Sequence, residues 1–292
     1  MFRGTFTALV TPFRGEGIDV EALEKLLEAQ FAGGVTGVVA VGTTGETPTL
    51  TRDERESVIR KCVEMSKGHG AVLAGTGSYS TRDAIEATKR AEKMGVDGAL
   101  VVSPYYNKPS QEGLFRHFKA IADATSLPIV LYNIPGRCGV DVNVDTVVRL
   151  AEACRNIVSI KEASGSVERV SELRGRLPEI FTILSGDDSL TLPFMAVGAV
   201  GVVSVASNLI PAEISALVQA FASGDMAAAQ KLHHRMLPLL KDLFIEPNPV
   251  PVKTALEWRG RMSSVCRLPL CEMTEVNTAR LRKTLEAFDH ST

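Results

Sequence analysis

Gly37-Val38-Val39-Ala40-Val41 runs without a break into Gly42-Thr43-Thr44-Gly45-Glu46, and Thr51-x-x-Glu54 opens the segment that follows. The first run is too short and too β-branched to be a helix. A continuous apolar strand of this kind is the mark of a parallel sheet buried on both faces. Thr51 and Glu54 have the spacing of a capping box, and Val58, Ile59, Cys62 and Val63 fall along one side of the helix it starts. Residues 37–63 therefore read as strand, loop and amphipathic helix, with the polar groups gathered in the loop.

The same unit recurs on both sides. Strand-like runs stand at Phe6–Val10, Ala71–Ala74, Gly98–Val102, Pro128–Tyr132, Ile157–Lys161, Thr182–Leu184 and Gly201–Val205. Amphipathic segments separate them. One is Val20-x-x-Leu23-x-x-Leu26-Leu27-x-x-x-Phe31, with Asp19 placed to cap it and Gly33-Gly34 to stop it. Eight such units at a spacing of roughly 20–35 residues fit an α/β fold of the (β/α)8 TIM-barrel type. An open doubly wound sheet fits less well, since its glycine-rich nucleotide fingerprint is missing. Gly75-Thr76-Gly77 lacks the third glycine, and no phosphate-binding loop of the G-x-x-x-x-G-K-[ST] type occurs. The residues after Val205 are too many for one closing helix. They read as helices over 211–222, 225–241, 251–259 and 275–287, with the proline-rich Glu246–Pro251 as punctuation. The expected organisation is a barrel over 1–224 and a small C-terminal helical domain over 225–292.

Composition narrows the function classes. Among 292 residues, 32 Lys and Arg face 34 Asp and Glu, a formal charge of −2 with no long single-sign run. A nucleic-acid or anionic-membrane binder would show a basic excess. The 45% hydrophobic content is too high for a disordered chain. Five scattered cysteines, Cys62, Cys138, Cys154, Cys266 and Cys271, show neither C-x-x-C spacing nor an even framework, which suits reduced thiols. Met1-Phe2-Arg3-Gly4-Thr5 leads into a strand-like run with no signal-peptide h-region, so a cytoplasmic location is expected. The uncharged stretch Phe194–Ile210 contains Gly198, Gly201, Ser204, Ser207 and Asn208, and reads as helix end, turn and buried strand rather than a membrane span.

In a barrel of this type the chemistry sits at the C-terminal ends of the strands. Those ends carry Thr43 and Thr44, then Ser103-Pro104-Tyr105-Tyr106-Asn107, Tyr132-Asn133-Ile134-Pro135-Gly136-Arg137, Lys161-Glu162-Ala163 and Ser185-Gly186-Asp187-Asp188. Lys161 ends an apolar strand. Desolvation there would lower its pKa toward a nucleophilic amine that can form a Schiff base; the plainer reading is a lysine paired to Glu162 or reaching solvent. Tyr132 could shuttle protons beside it, or be a core tyrosine with a satisfied hydroxyl. Thr43 and Thr44 sit where hydroxyls and free N–H groups can hold a carboxylate, or where a tight turn simply needs them. Arg137 offers bidentate geometry to a carboxylate, or is a surface arginine. His233 and His234 are adjacent and cannot form an i,i+4 metal pair; His69 and His117 read as helix-surface residues. Asp187-Asp188 is a weak cation signal, and no G-x-S-x-G elbow occurs. These residues demand no metal or organic cofactor.

Taken together, the strand-end blocks, with Pro104–Pro109 and Leu243–Lys253, resemble the 4-hydroxy-tetrahydrodipicolinate synthase family over essentially the whole chain. That family lies within the pyruvate-dependent class I aldolases, which also include the N-acetylneuraminate lyases. The resemblance implies that Lys161 forms an imine with pyruvate and that the derived enamine attacks L-aspartate 4-semialdehyde. It implies a proton relay of Tyr132, Thr43 and Tyr106, with Tyr106 contributed by a neighbouring subunit of a homotetramer built as a dimer of dimers. Thr44 and the backbone at Val203 would hold pyruvate, Arg137 the semialdehyde carboxylate, and Gly186 would also belong to the substrate site. A sister aldolase acting on a 2-keto-3-deoxy sugar acid or N-acetylneuraminate would share Lys161 and Tyr132 but not need Arg137. A non-catalytic protein on a retained barrel would not need Lys161, Tyr132 and Thr43 together. At the positions where lysine-inhibited members bind their inhibitor this chain has Arg52, Arg55 and Tyr79, while Asp83 and Tyr105 stay similar; weak or absent inhibition by lysine is expected.

Overall fold

A short apolar strand leaves its N–H and C=O groups unpaired until neighbours flank it on both sides, and a closed sheet meets that demand with no edge left over. The computed structural model describes residues 2–291 and shows this closure. The strands are β1 (Gly4–Ala8), β2 (Gly37–Ala40), β3 (Ala71–Gly75), β4 (Gly98–Val102), β5 (Ile129–Asn133), β6 (Ile157–Glu162), β7 (Thr182–Ser185) and β8 (Gly201–Ser204). All pair in parallel and in sequence order, and β1 closes the ring by pairing with both β2 and β8. Their side chains are buried almost throughout, as continuous apolar runs require.

The helices are α1 (Val20–Ala32), α2 (Arg52–Ser66), α3 (Thr81–Lys93), α4 (Gln111–Asp123), α5 (Pro135–Cys138), α6 (Val144–Ala153), α7 (Val167–Arg176), α8 (Thr191–Ala196), α9 (Pro211–Ala222), α10 (Met226–Asp242), α11 (Val250–Trp258) and α12 (Glu275–His290). Asp19 caps α1 by accepting from the Ala22 N–H, and the helix buries Ala22, Leu23, Leu26 and Leu27. Thr51 and Glu54 form the full capping box of α2. Helix α9 lies against β1 and α1; α10 packs on α9 and α12, and α11 on α12. Among the described residues no helix is long and apolar enough to cross a membrane, and all five cysteines are free.

The differences from expectation are local. Strand β1 spans Gly4–Ala8 rather than Phe6–Val10, because the Val10 N–H turns to the Asn208 side chain at 3.1 Å and leaves the ladder. A two-residue hairpin, Phe13–Arg14 with Gly17–Ile18, precedes α1 and was not legible. His117 is not a surface residue: it continues the buried stripe Leu114, Phe118 and Ile121 of α4, with Nδ1 at 2.9 Å from the Thr81 hydroxyl. Burial pushes its pKa down to about 4, so it is neutral at pH 7. His69 is exposed but lies in the turn after α2, stacked on Phe31.

Candidate active site

Side chains alternate faces along a strand, so neighbours at the end of β6 have different fates. Glu162 is fully buried on one face. Its carboxylate accepts from Arg169 Nε at 2.8 Å, from the Asn133 amide and from the Ser164 N–H. Lys161 takes the other face, 5% exposed, with no carboxylate among the described residues within ion-pairing distance. The reading of Lys161 as the ion-pair partner of Glu162 is thereby excluded. Its Nζ lies 4.1 Å from the centre of the Tyr132 ring, which the register of β5 and β6 places directly alongside. Burial pushes the Lys161 pKa down to about 7; the Arg137 charge acts in the same direction and Asp188 opposes both.

Tyr132 is buried, with the Thr43 side chain close enough to its phenol to favour the ionised form. Burial pushes this phenol up to about 12, against the pull of Arg137 and Thr43, so it is a neutral group. Gly186, just past β7, is needed for space: a Cβ there would stand 3.1 Å from Lys161 Cε and 2.7 Å from Ala163 Cβ. Arg137, on the single turn α5, is exposed at the mouth. Thr43, Tyr132 and Arg137 line a cavity of about 690 Å³ that extends outward past Arg52, Arg55, Tyr79 and Tyr105.

The turn that carries Thr43 and Thr44 is held from outside. Backbone strain marks its ends, with positive φ at Val41 (48°) and Glu46 (56°), a rare conformation for a β-branched residue. Gly45 O accepts from the Thr11 hydroxyl at 2.8 Å and Gly42 O from Thr47 at 2.9 Å. The buried Glu46 carboxylate accepts from Lys253 Nζ at 2.7 Å and from the Arg267 N–H at 2.9 Å. Lys253 is itself fully buried and gives its other protons to Thr11 O and Val265 O, with Phe13 against it. The N–H groups of Gly45 and Glu46 close the turn on Gly42 O and Thr43 O. Those of Thr43 and Thr44 donate to no protein acceptor among the described residues, which leaves a small nest of free amides.

Of the residues singled out from sequence, Lys161, Tyr132, Thr43, Arg137 and Gly186 converge. Thr44 is buried beside Thr43, its hydroxyl accepting from Asn248. Val203 is buried in β8, two strands round from Lys161. Tyr106 stands apart: it is 91% exposed, on a backbone with φ of 71°, and does not line this chain's own cavity. Three further residues had no assigned role. Asp188 is buried, accepts from the Val205 and Ala206 N–H groups, and has its carboxyl raised by burial. Asn248 and Lys253 reach the turn from the C-terminal segment; a lone lysine in the apolar Val250-Pro251-Val252-Lys253 was the available signal. Among the described residues no group of three or more His, Cys, Asp and Glu is arranged to hold a metal ion.

Comparison with known proteins gives one consistent result. The model of the dihydrodipicolinate synthetase family matches residues 1–288. A 4-hydroxy-tetrahydrodipicolinate synthase of Endomicrobium trichonymphae is 52% identical over 288 residues, covering 99% of both chains. The solved synthase of Methylacidiphilum fumariolicum SolV superimposes with a TM-score of 0.98 at 56% identity, covering 99% of this chain and 97% of that one. The crystal structure of dihydrodipicolinate synthase from Aquifex aeolicus follows at 0.97 and 47%, covering 99% and 98%.

Proposed function

The chain belongs to the dihydrodipicolinate synthetase family, and from that premise we propose that it condenses pyruvate with L-aspartate 4-semialdehyde to 4-hydroxy-tetrahydrodipicolinate, in the diaminopimelate route to lysine. The observation that carries the reading is the Lys161 amine: buried, in no ion pair among the described residues, its pKa brought down to about 7, and set against the ring of Tyr132 with Thr43 nearby.

The free amine of Lys161 adds to the keto carbon of pyruvate, and loss of water gives an imine. Removal of a proton from the methyl carbon converts the imine to an enamine, whose carbon attacks the aldehyde of the semialdehyde; the aldehyde oxygen takes up a proton and becomes the hydroxyl. The amine of the bound product then attacks the imine carbon and expels Lys161 as the ring closes. Each transfer needs a neutral group that can give a proton and regain it, which suits Tyr132 through Thr43. The free amides and hydroxyl of the Thr43–Thr44 turn suit the pyruvate carboxylate, and Arg137 at the mouth suits that of the semialdehyde. Gly186 leaves room for the imine.

Tyr106 serves this reading only in an assembly. A tyrosine with 91% exposure on a strained loop is placed to enter a second copy of the chain, and a dimer or dimer-of-dimers tetramer would complete the relay. Replacing Tyr106 with Phe should then lower kcat at least tenfold without changing the sedimentation coefficient. The outer cavity argues against feedback by lysine: Arg52 and Arg55 line it, while Glu56 and Glu86 are already engaged by Arg90. Initial rates should be insensitive to millimolar lysine.

Borohydride reduction in the presence of pyruvate, read by peptide mass spectrometry, tests the central step. A reduced adduct on Lys161 with consumption of the semialdehyde is expected. An adduct without semialdehyde turnover would move the assignment to a sugar-acid aldolase, and no adduct would remove the Schiff-base mechanism.

A further inference from the structure

Thr44 lies on the turn beside Thr43 but its hydroxyl is tied to a different part of the chain. Asn248, 6% exposed just ahead of α11, donates from Nδ2 to Thr44 Oγ1 at 2.9 Å across 204 residues of sequence. A threonine hydroxyl has one proton to give and two sites at which to accept. The amide fills one accepting site, and no acceptor among the described residues takes the Thr44 proton. Asn248 Nδ2 makes this one bond and Asn248 Oδ1 has no partner, so the contact is made from the donor end of the amide.

Most of the turn's accepting groups are occupied, Thr43 O by the Glu46 N–H among them. The carbonyls of Gly42 and Gly45 and both carboxylate oxygens of Glu46 accept from Thr47, Thr11, Lys253 and the Arg267 N–H. Among the donors of the turn, the Thr44 hydroxyl proton and the amides of Thr43 and Thr44 are uncommitted, and none of them is charged. We infer that Asn248 is a positioning residue: by donating to Thr44 it occupies one lone pair of the hydroxyl and turns the proton away from itself, toward the pyruvate carboxylate. This rests on the assignment of pyruvate as the ligand of the turn, and it assigns the C-terminal segment a part in substrate capture.

The near-isosteric Asn248→Asp substitution inverts the arrangement. A carboxylate has no proton to offer and accepts the one on Thr44, so the hydroxyl is drawn away from pyruvate. The KM for pyruvate should rise at least about tenfold, the scale of one hydrogen bond to a charged group, with kcat and the KM for the semialdehyde changed less than about twofold. Asn248→Ser, which restores a neutral donor, should stay within a few-fold of the parent enzyme. In a Thr44→Val background, where there is no hydroxyl to orient, Asn248→Asp should add little to the KM for pyruvate. A loss shared equally between kcat and both KM values, or an Asn248→Asp defect undiminished in the Thr44→Val enzyme, would reduce Asn248 to a packing residue. Borohydride trapping on the parent enzyme separates the two questions. With no pyruvate adduct on Lys161 the reaction assignment fails; with an adduct and an unchanged pyruvate KM in Asn248→Asp, only the positioning role fails.

Discussion

Protonating Lys161 puts a cation against the face of Tyr132, where the lysine is 5% exposed and no carboxylate among the described residues is in pairing range. The energetic consequence has a definite sign. The unfolded amine titrates near 10.5 and the folded one near 7, so between those values the unfolded chain holds the extra proton. Stability therefore rises as pH increases from about 7 to 10.5, and below 7 the penalty is complete and constant. Lys161→Met should abolish turnover yet raise the thermal midpoint at pH 7, and the gain should shrink as pH approaches 10.5. A midpoint at pH 7 below that of the parent protein would contradict the account. The same group predicts an acid limb near pH 7 in kcat/KM for pyruvate. Lys161, Tyr132 and Thr43 were legible because strand ends are legible and a barrel gathers them. The opposing pulls of Arg137 and Asp188 on Lys161 were not, since those residues belong to other strand units and meet it only once the ring closes.

At the level of elements, α2 shows how one residue serves two purposes. Glu54 closes the capping box on the Thr51 N–H at 2.8 Å and holds Arg267 through both carboxylate oxygens. The Arg267 guanidinium holds the Glu54 carboxyl down at about 2, below its ordinary 4.5. Its contribution is thus whole above pH 4.5 and fades as pH falls toward 2. Glu54→Gln should lower stability by about 1 kcal/mol at pH 7, modest because the pair is partly exposed, and by almost nothing at pH 2; chemical denaturation at the two pH values checks this. The capping box was plain in sequence, as were the strands, because buried parallel strands are continuous and helices are periodic. The hairpin at Phe13–Ile18 was not, since two-residue strands carry no period. Nor was the burial of His117, where a polar residue occupies an apolar position of the stripe and relies on Thr81.

For the molecule as a whole, the Glu46–Lys253 pair joins the Gly42–Glu46 turn to the C-terminal helices. Both partners are buried, and removing one leaves a charge stranded. Lys253→Met should cost about 3–5 kcal/mol of stability by denaturant titration, and loss of activity should exceed what the unfolded fraction explains. No sequence pattern links residues 207 apart, so this contact had to come from the structure. The separation also bears on time. The groups that fix the turn, Asn248, Lys253 and Arg267, leave the ribosome long after the strand they secure, and closing so distant a contact is slow. A nascent chain that has completed all its strands still lacks the contacts that set the Gly42–Glu46 turn, and in refolding the recovery of turnover should trail the recovery of far-ultraviolet ellipticity.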